Sequence, residues 1–310
     1  MFHMPLFFFF AGYCFKDKYL YDFPSFAKNK LRGIYKPYVK WGLVFLIFHN
    51  VFFYLSIYSD QYGYRGTVNS AYSLQDFYQR VLLLLTMTRC EPLLGGYWFL
   101  KSLFWCSFIG YFFMKFMPKN HGIMLLLLIT IFVSYLKINI PFFQIGKTEI
   151  LAATFFLIGR KTKTSFLSFD LNLLNSIVFV LSSVICVTIG MELWQSTMKT
   201  VEWWAVIPYV ITALIGTAAV FVISKHICQI NNSITKLFVY IGNNTLTILT
   251  WHFLSFKLIS LIIVIIYGLP IARLGEHPTI EEYAKLGWFL AYLLTGISIP
   301  LAFSKCKYLK

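Results

Sequence analysis

Charge is what this sequence lacks. Of its 310 residues only 13% are Asp, Glu, Lys or Arg, while 58% are hydrophobic and 20% aromatic. A soluble domain covers its surface with polar side chains, and this chain has too few of them. Acids are the scarcer sign, 12 against 27 Lys and Arg. Gly-rich phosphate loops, HExxH pairs and paired-carboxylate motifs are missing, which weakens ATP-driven and zinc-hydrolase readings. The six cysteines (Cys14, Cys90, Cys106, Cys186, Cys228, Cys306) are scattered in or beside apolar stretches. No pair has metal-ligand spacing and no disulfide framework emerges, so no metal is expected. A basic n-region with a small-residue cleavage site is also missing, which excludes a signal peptide of the usual form. With no internal repeat or low-complexity tract, residues 1–310 read as a single membrane domain.

What is present is apolar sequence in runs approaching the ~20 residues that cross a ~30 Å hydrocarbon core. Spans are expected near 1–15, 41–58, 97–117, 122–136, 145–159, 172–190, 205–223, 241–267 and 286–303. The fold expected is all-α, a polytopic transmembrane helix bundle of about nine spans. The fifth span carries Lys147 and Glu149, read as an ion pair near the outer interface. Segment 224–240 mixes apolar and basic residues and suits the inner interface.

The net charge of +15 is placed by topology. Lys16, Lys18, Lys28, Lys30, Arg32, Lys36 and Lys40 share one loop. Lys119, Arg160, Lys161, Lys225, Lys236, Lys305, Lys307 and Lys310 fall in loops or at ends of the same side. The opposite loops hold most of the acids, among them Asp60, Asp76, Glu91, Glu192, Glu202 and Glu276. This is the positive-inside pattern. It argues against a nucleic-acid partner and places the C-terminus in the cytoplasm. It also makes the first span run from outside to inside, so the expectation is a chain truncated before Met1, missing one inside-to-outside helix.

Some polar residues stand at membrane depth, where they are costly unless they face a cavity or a partner. His3 opens the first span; it suits a general base or a group that orients a hydroxyl, and equally a packed interfacial histidine. His252 lies inside the 241–267 span after Asn243 and Asn244, where a functional role and an interhelical hydrogen bond are both open. Lys257 on the same span needs an acidic partner or a watery cavity. Arg89, Glu91 and Trp98 flank a Gly95–Gly96 pair on the outer side. Aromatic faces with a carboxylate suit sugar binding, and an aromatic belt with solvated charges is the plain alternative. Lys28, Lys30, Arg32 and Lys36 suit contacts to phosphates, though retention of their loop inside explains them too. Nothing in spacing or company singles out His49, His121, His226 or His277.

The opening "FHMPLFFFFAGYCF" resembles the second-helix signature of the acyltransferase-3 family of membrane proteins, close to its fucose-4-O-acetylase-like branch. There Phe-His-Met-Pro-Leu-Phe-Phe-Phe is followed by a Ser-Gly pair and an aromatic. Further segments are similar to that family in the same order: "NKLRGIYKPYVKWG" (29–42), "GGYWFLKSLF" (95–104), "FFLIGR" (155–160) and "IGNNTLTILTWHF" (241–253). Ala11 departs from the family's usual serine, and the family's first helix, which carries its presumed catalytic histidine, has no counterpart in this chain.

The resemblance implies a membrane O-acyltransferase that moves an acetyl group from cytoplasmic acetyl-CoA to a hydroxyl of an envelope sugar, polysaccharide or lipid-linked precursor, in a bacterial inner membrane. His3 is then the catalytic candidate in this chain. Lys28, Lys30, Arg32 and Lys36 are the candidates for coenzyme A, and Arg89, Glu91, Trp98, Asn244 and His252 for the acceptor. Two rivals stay open: a transporter or flippase for a lipid-linked sugar, which predicts inverted repeats that the sequence does not display, and an inactive acyltransferase remnant.

Overall fold

The computed structural model describes residues 2–64, 66–117, 121–168, 171–230 and 232–308. Lys119 and Lys310 of the basic set lie outside the described residues, as do the side chains of Lys305 and Lys307. Helix accounts for 78% of the chain, with no strand among the described residues. Contacts divide it into two compact units, Met1–Tyr35 with Phe99–Thr235 and Lys36–Trp98 with Lys236–Lys310.

The first unit opens with α1 (His3–Tyr13), α2 (Lys18–Tyr21) and α3 (Phe23–Lys30). The second takes α4 (Lys36–Ile47), α5 (His49–Tyr54) and α6 (Leu74–Leu85). The chain then returns to the first for α7 (Trp98–Phe116), α8 (His121–Leu136), α9 (Lys147–Lys161), α10 (Lys163–Ser168), α11 (Leu173–Trp194) and α12 (Val206–Ile230). After α13 (Asn232–Asn243), the second is completed by α14 (Thr245–Ile266), α15 (Glu281–Tyr283) and α16 (Phe289–Tyr308).

Each of the nine expected spans is helical, and the chain is a polytopic helical membrane protein. Among the described residues four helices are long and apolar enough to cross a bilayer on their own: Leu173–Trp194, Trp203–Gln229, Thr245–Ile266 and Glu281–Ser304. Others are shorter. At 11 residues α1 is about 16 Å long, half the hydrocarbon thickness. The 41–58 segment breaks into α4 and α5 at Phe48.

The least apolar expected span has a physical explanation. Leu151, Ala152, Ala153, Phe155 and Phe156 of α9 are fully buried, so this helix faces protein on most sides. Its crossing with α1 is very close. A Cβ on Gly12 would land on the carbonyl of Phe156, and one on Gly159 would land on the carbonyl of Phe9. Two glycines therefore admit two backbones, each opposite the other's main chain. The Phe156 ring turns toward α7, where Gly110 leaves room for it. Nearby, Phe26 of α3 stacks on Tyr111 with centroids 4.8 Å apart.

Lys147 and Glu149 do not pair. Residues two apart on a helix point to opposite sides, and each finds a partner elsewhere. Lys147 Nζ donates to the Val201 carbonyl at 2.8 Å. Glu149 accepts from Ser102 Oγ at 2.8 Å and from the Gly146 N–H at 3.0 Å, with Lys101 Nζ 3.9 Å away.

In the second unit α14 and α16 pack together, joined by a Ser260–Tyr292 hydroxyl bond of 2.9 Å. Tyr292 also receives the Ile280 N–H at 3.3 Å, which ties the 268–280 loop to α16. Lys257 bonds to main chain, with the Glu276 carboxylate near enough to act on its charge. Its ammonium donates to the carbonyls of Leu274 and Glu276 at 2.8 and 2.7 Å. Helix α6, in a stretch expected as loop, starts with a reciprocal Ser73–Asp76 cap. Helix α13 keeps Ile234, Leu237 and Phe238 exposed along one side.

Candidate active site

The second unit gathers most of its polar chemistry around one stretch, residues 89–97. The chain enters at Arg89, passes the buried Glu91, and makes a 3₁₀ turn over Pro92–Tyr97 that contains Gly95 and Gly96. Tyr97 locks this turn to α14 through a 2.7 Å hydroxyl bond to Thr250.

One cluster lies at the Glu91 end. His49, 1% exposed, meets Glu91 Oε2 through Nδ1 at 2.7 Å. Its Nε2 is 2.9 Å from the Ser70 carbonyl. The Tyr58 hydroxyl donates to the same Glu91 oxygen at 3.4 Å. Tyr72 lies flat on the imidazole, centroids 3.4 Å apart and planes 7° apart, and the Arg80 guanidinium sits 4.8 Å over the Tyr72 ring. Asn50 clamps the Tyr72 backbone with bonds of 2.7 and 3.0 Å. Burial, then the Glu91 charge, hold the Tyr72 phenol well above its ordinary range.

A second cluster lies at the glycine end. His252 Nδ1 is 3.0 Å from the Ile248 carbonyl one turn back. A carbonyl only accepts, so Nδ1 carries the hydrogen and Nε2 keeps the lone pair. Facing it is His277 from the 268–280 loop, whose ring packs 4.7 Å from Phe253. His277 Nδ1 is buried with no hydrogen-bond partner. The glycines make room here: a Cβ on Gly95 would stand 3.6 Å from His277 Nε2, and one on Gly96 would stand 3.6 Å from His252 Cε1 and press on Leu249. Burial, then the nearby Lys257 and His252, pull the His277 pKa down to about 3.

That depression gives a pH dependence with a definite sign. Folded His277 stays neutral while the unfolded chain binds a proton below about 6.5, so the unfolded state holds more protons and stability falls as pH drops from about 6.5 toward 3. At pH 5 the loss is about 2 kcal/mol relative to pH 7.5. Thermal unfolding of wild type and His277→Gln at both pH values measures it. The expected result is a smaller drop in the variant; equal drops would remove His277 as the source.

The predicted residues are dispersed. His3 is exposed in the first turn of α1, in the first unit. Lys28 and Arg32 are exposed in the segment that follows, while Lys30 is half-buried, with its ammonium 5.7 Å over the Phe26 ring and its pKa lowered by burial. Lys36, also exposed, opens α4 in the second unit. Arg89 is exposed and Trp98 half-buried at the start of α7. Asn244 donates to the Tyr240 carbonyl at 2.9 Å and serves the α13–α14 junction. It precedes His252 by eight residues, about 12 Å along a helix. Glu91 and His252 do flank one turn. Their partners His49 and His277 are beyond what spacing reveals, being 42 residues from Glu91 and 25 from His252 in the chain. Among the described residues no group of three or more His, Cys, Asp or Glu could hold a metal ion.

A family model described as an acyltransferase domain matches residues 1–305. No curated protein and no solved structure matches the chain.

Proposed function

The chain belongs to the acyltransferase-3 family, and from this membership we propose that it transfers an acetyl group from cytoplasmic acetyl-CoA to a hydroxyl of an envelope sugar or of its lipid-linked precursor. The match extends through both units. The observation that gives the reaction a chemical agent is the state of His252, whose Nδ1–H is engaged, so that Nε2 keeps its lone pair, and whose ring edge at Cε1 lies beside Gly96.

A sugar hydroxyl is a poor nucleophile near neutral pH and needs a base as it attacks. In the proposed step Nε2 of His252 takes the hydroxyl proton while the oxygen bonds to the thioester carbonyl carbon. The carbon–sulfur bond then breaks, and the coenzyme A thiolate leaves and recovers the proton from the imidazolium. His3, exposed at the start of α1, is the second imidazole on offer for the same role. Lys28, Lys30, Arg32 and Lys36 are proposed to meet the donor's phosphates as point charges. The location proposed is a bacterial inner membrane with the C-terminus in the cytoplasm, which the distribution of Lys and Arg supports.

The test is radiolabelled acetyl-CoA with the purified chain in nanodiscs and methyl glycosides of fucose, galactose and glucose as acceptors. Wild type should yield an acetylated glycoside. His252→Gln should lower that rate about 100-fold or more with an unchanged melting temperature, and His3→Gln should lower it less. A wild type that acetylates nothing overturns the activity, and an undiminished His252→Gln overturns the base. Sugar carried across a vesicle membrane without acetylation would favour the transporter instead.

A further inference from the structure

We propose that Glu91, held in place by His49, forms a subsite that receives a single hydroxyl of the acceptor sugar. The inference rests on the acetyl-transfer reading and names the group that fixes which hydroxyl is presented.

The Ser70 carbonyl only accepts, so His49 Nε2 carries a hydrogen. Between Nδ1 and Glu91 Oε2 there is then one more proton, and the pair is either imidazolium with carboxylate or imidazole with carboxylic acid. In both forms His49 has no lone pair facing outward. It is thus unsuited to be a base and suited to be a holder. The Tyr72 ring on its face, the Asn50 clamp on the Tyr72 backbone and the Tyr58 hydroxyl all fix the same geometry.

Glu91 is different. His49 and Tyr58 both bond to Oε2, Tyr72 also hydrogen-bonds to the carboxyl group, and Glu91 lines a small cavity with Gly42, Leu46, Arg80, Leu84, Arg89 and Cys90. Two carboxylate oxygens offer about four acceptor positions, and these three donors leave one for that space. The cavity's volume of ≈ 10 Å³ matches one water-sized group and excludes a sugar ring. Its lining selects among such groups. An anion would gain from Arg80 and Arg89 but would face the Glu91–His49 pair at close range. A hydroxyl can donate to Glu91 and accept from an arginine, and it satisfies both. Cys90 does not compete as a nucleophile, since burial pushes its thiol up to about 12 and keeps it protonated.

His49 is a positioning residue here. It touches no substrate, and its role is to keep Glu91 turned and its proton count fixed. A pair of purely structural value would show itself only in stability.

The experiment uses the full chain in nanodiscs with labelled acetyl-CoA and the three methyl glycosides as probes. Glu91→Gln keeps the shape of the side chain. It should raise the KM for the best glycoside about tenfold or more, leave the KM for acetyl-CoA within twofold, and change kcat less than KM. Arg89→Gln, at an exposed position where folding is secure, should raise the glycoside KM about threefold or more. His49→Gln should follow Glu91→Gln in direction, and should retain more affinity than His49→Ala because Gln can still donate to Glu91. Glycoside KM values within twofold of wild type for Glu91→Gln and Arg89→Gln together would overturn the subsite while leaving acetyl transfer intact. A wild type that acetylates no glycoside would overturn the transfer reading and this inference with it.

Discussion

Gly12→Leu is expected to leave no folded protein in detergent extracts. The reason is local and geometric. At position 12 the first side-chain carbon already coincides with the carbonyl of Phe156, and a main-chain atom of a buried helix has no rotamer with which to move aside. Gly159 faces the carbonyl of Phe9 in the same way, so the two helices cannot separate at one contact without opening the other. Phe8, Phe9, Phe155 and Phe156 are all fully buried around the crossing, and separation would expose them together. Gly12→Ala and Gly159→Ala should each cost about 3 kcal/mol or more, toward the upper end of overpacking effects. Gly242 supplies the control. It lies in helix α13 with nothing within 4 Å of its would-be Cβ, so Gly242→Ala should be neutral or stabilising by up to about 1 kcal/mol. Thermal melts with size-exclusion profiles distinguish these cases. A monodisperse Gly12→Leu protein melting near wild type would mean that α1 and α9 do not meet as described.

The same crossing separates what is legible in the sequence from what is not. Gly12 and Gly159 fall in the motif segments "FHMPLFFFFAGYCF" and "FFLIGR", almost half the chain apart. Each glycine is the counterpart of the other helix's backbone, a pairing that no local pattern announces. Apolar runs are readable because lipid demands them one segment at a time, and all nine expected segments are helical. Helices α3 and α6 carry local signals of a different kind: Asp22 ahead of Pro24 in one, and the Ser73–Asp76 cap in the other. Both are amphipathic, and hydropathy alone passes over such helices. The site is less legible than the fold. Glu91 and His252 stand out as polar residues near or within apolar sequence, whereas His49 and His277 gain meaning only from partners brought to them by tertiary packing. The Lys147–Glu149 reading fails for a simpler reason: adjacency in sequence is not adjacency on a helix.

Lys257→Met should cost about 3 kcal/mol and should alter the glycine-end cluster as well as the fold. Two effects oppose each other. Methionine removes the cost of burying an ammonium in a residue only 4% exposed, which is favourable. It also strands the carbonyls of Leu274 and Glu276, which receive that ammonium at 2.8 and 2.7 Å. Hydrogen bonds from a charged donor contribute about 1.5–3 kcal/mol each, and Leu274 is itself buried, so water does not readily replace the lost donor there. The second effect therefore wins. The consequence reaches His277, because these two carbonyls belong to the loop that carries it, and because Lys257 is one of the charges that keep its imidazole neutral. Removing that charge should raise the His277 pKa, so the stability lost between pH 7.5 and pH 5 should shrink in Lys257→Met relative to wild type. Lys257→Arg, which keeps charge and donors on a bulkier head, should retain more of both properties than Met does. Melting curves of the three proteins at the two pH values decide the matter. A Lys257→Met protein as stable as wild type, with the same response to pH, would show that Lys257 neither holds the 268–280 loop on α14 nor sets the charge state of the imidazole beside Gly95.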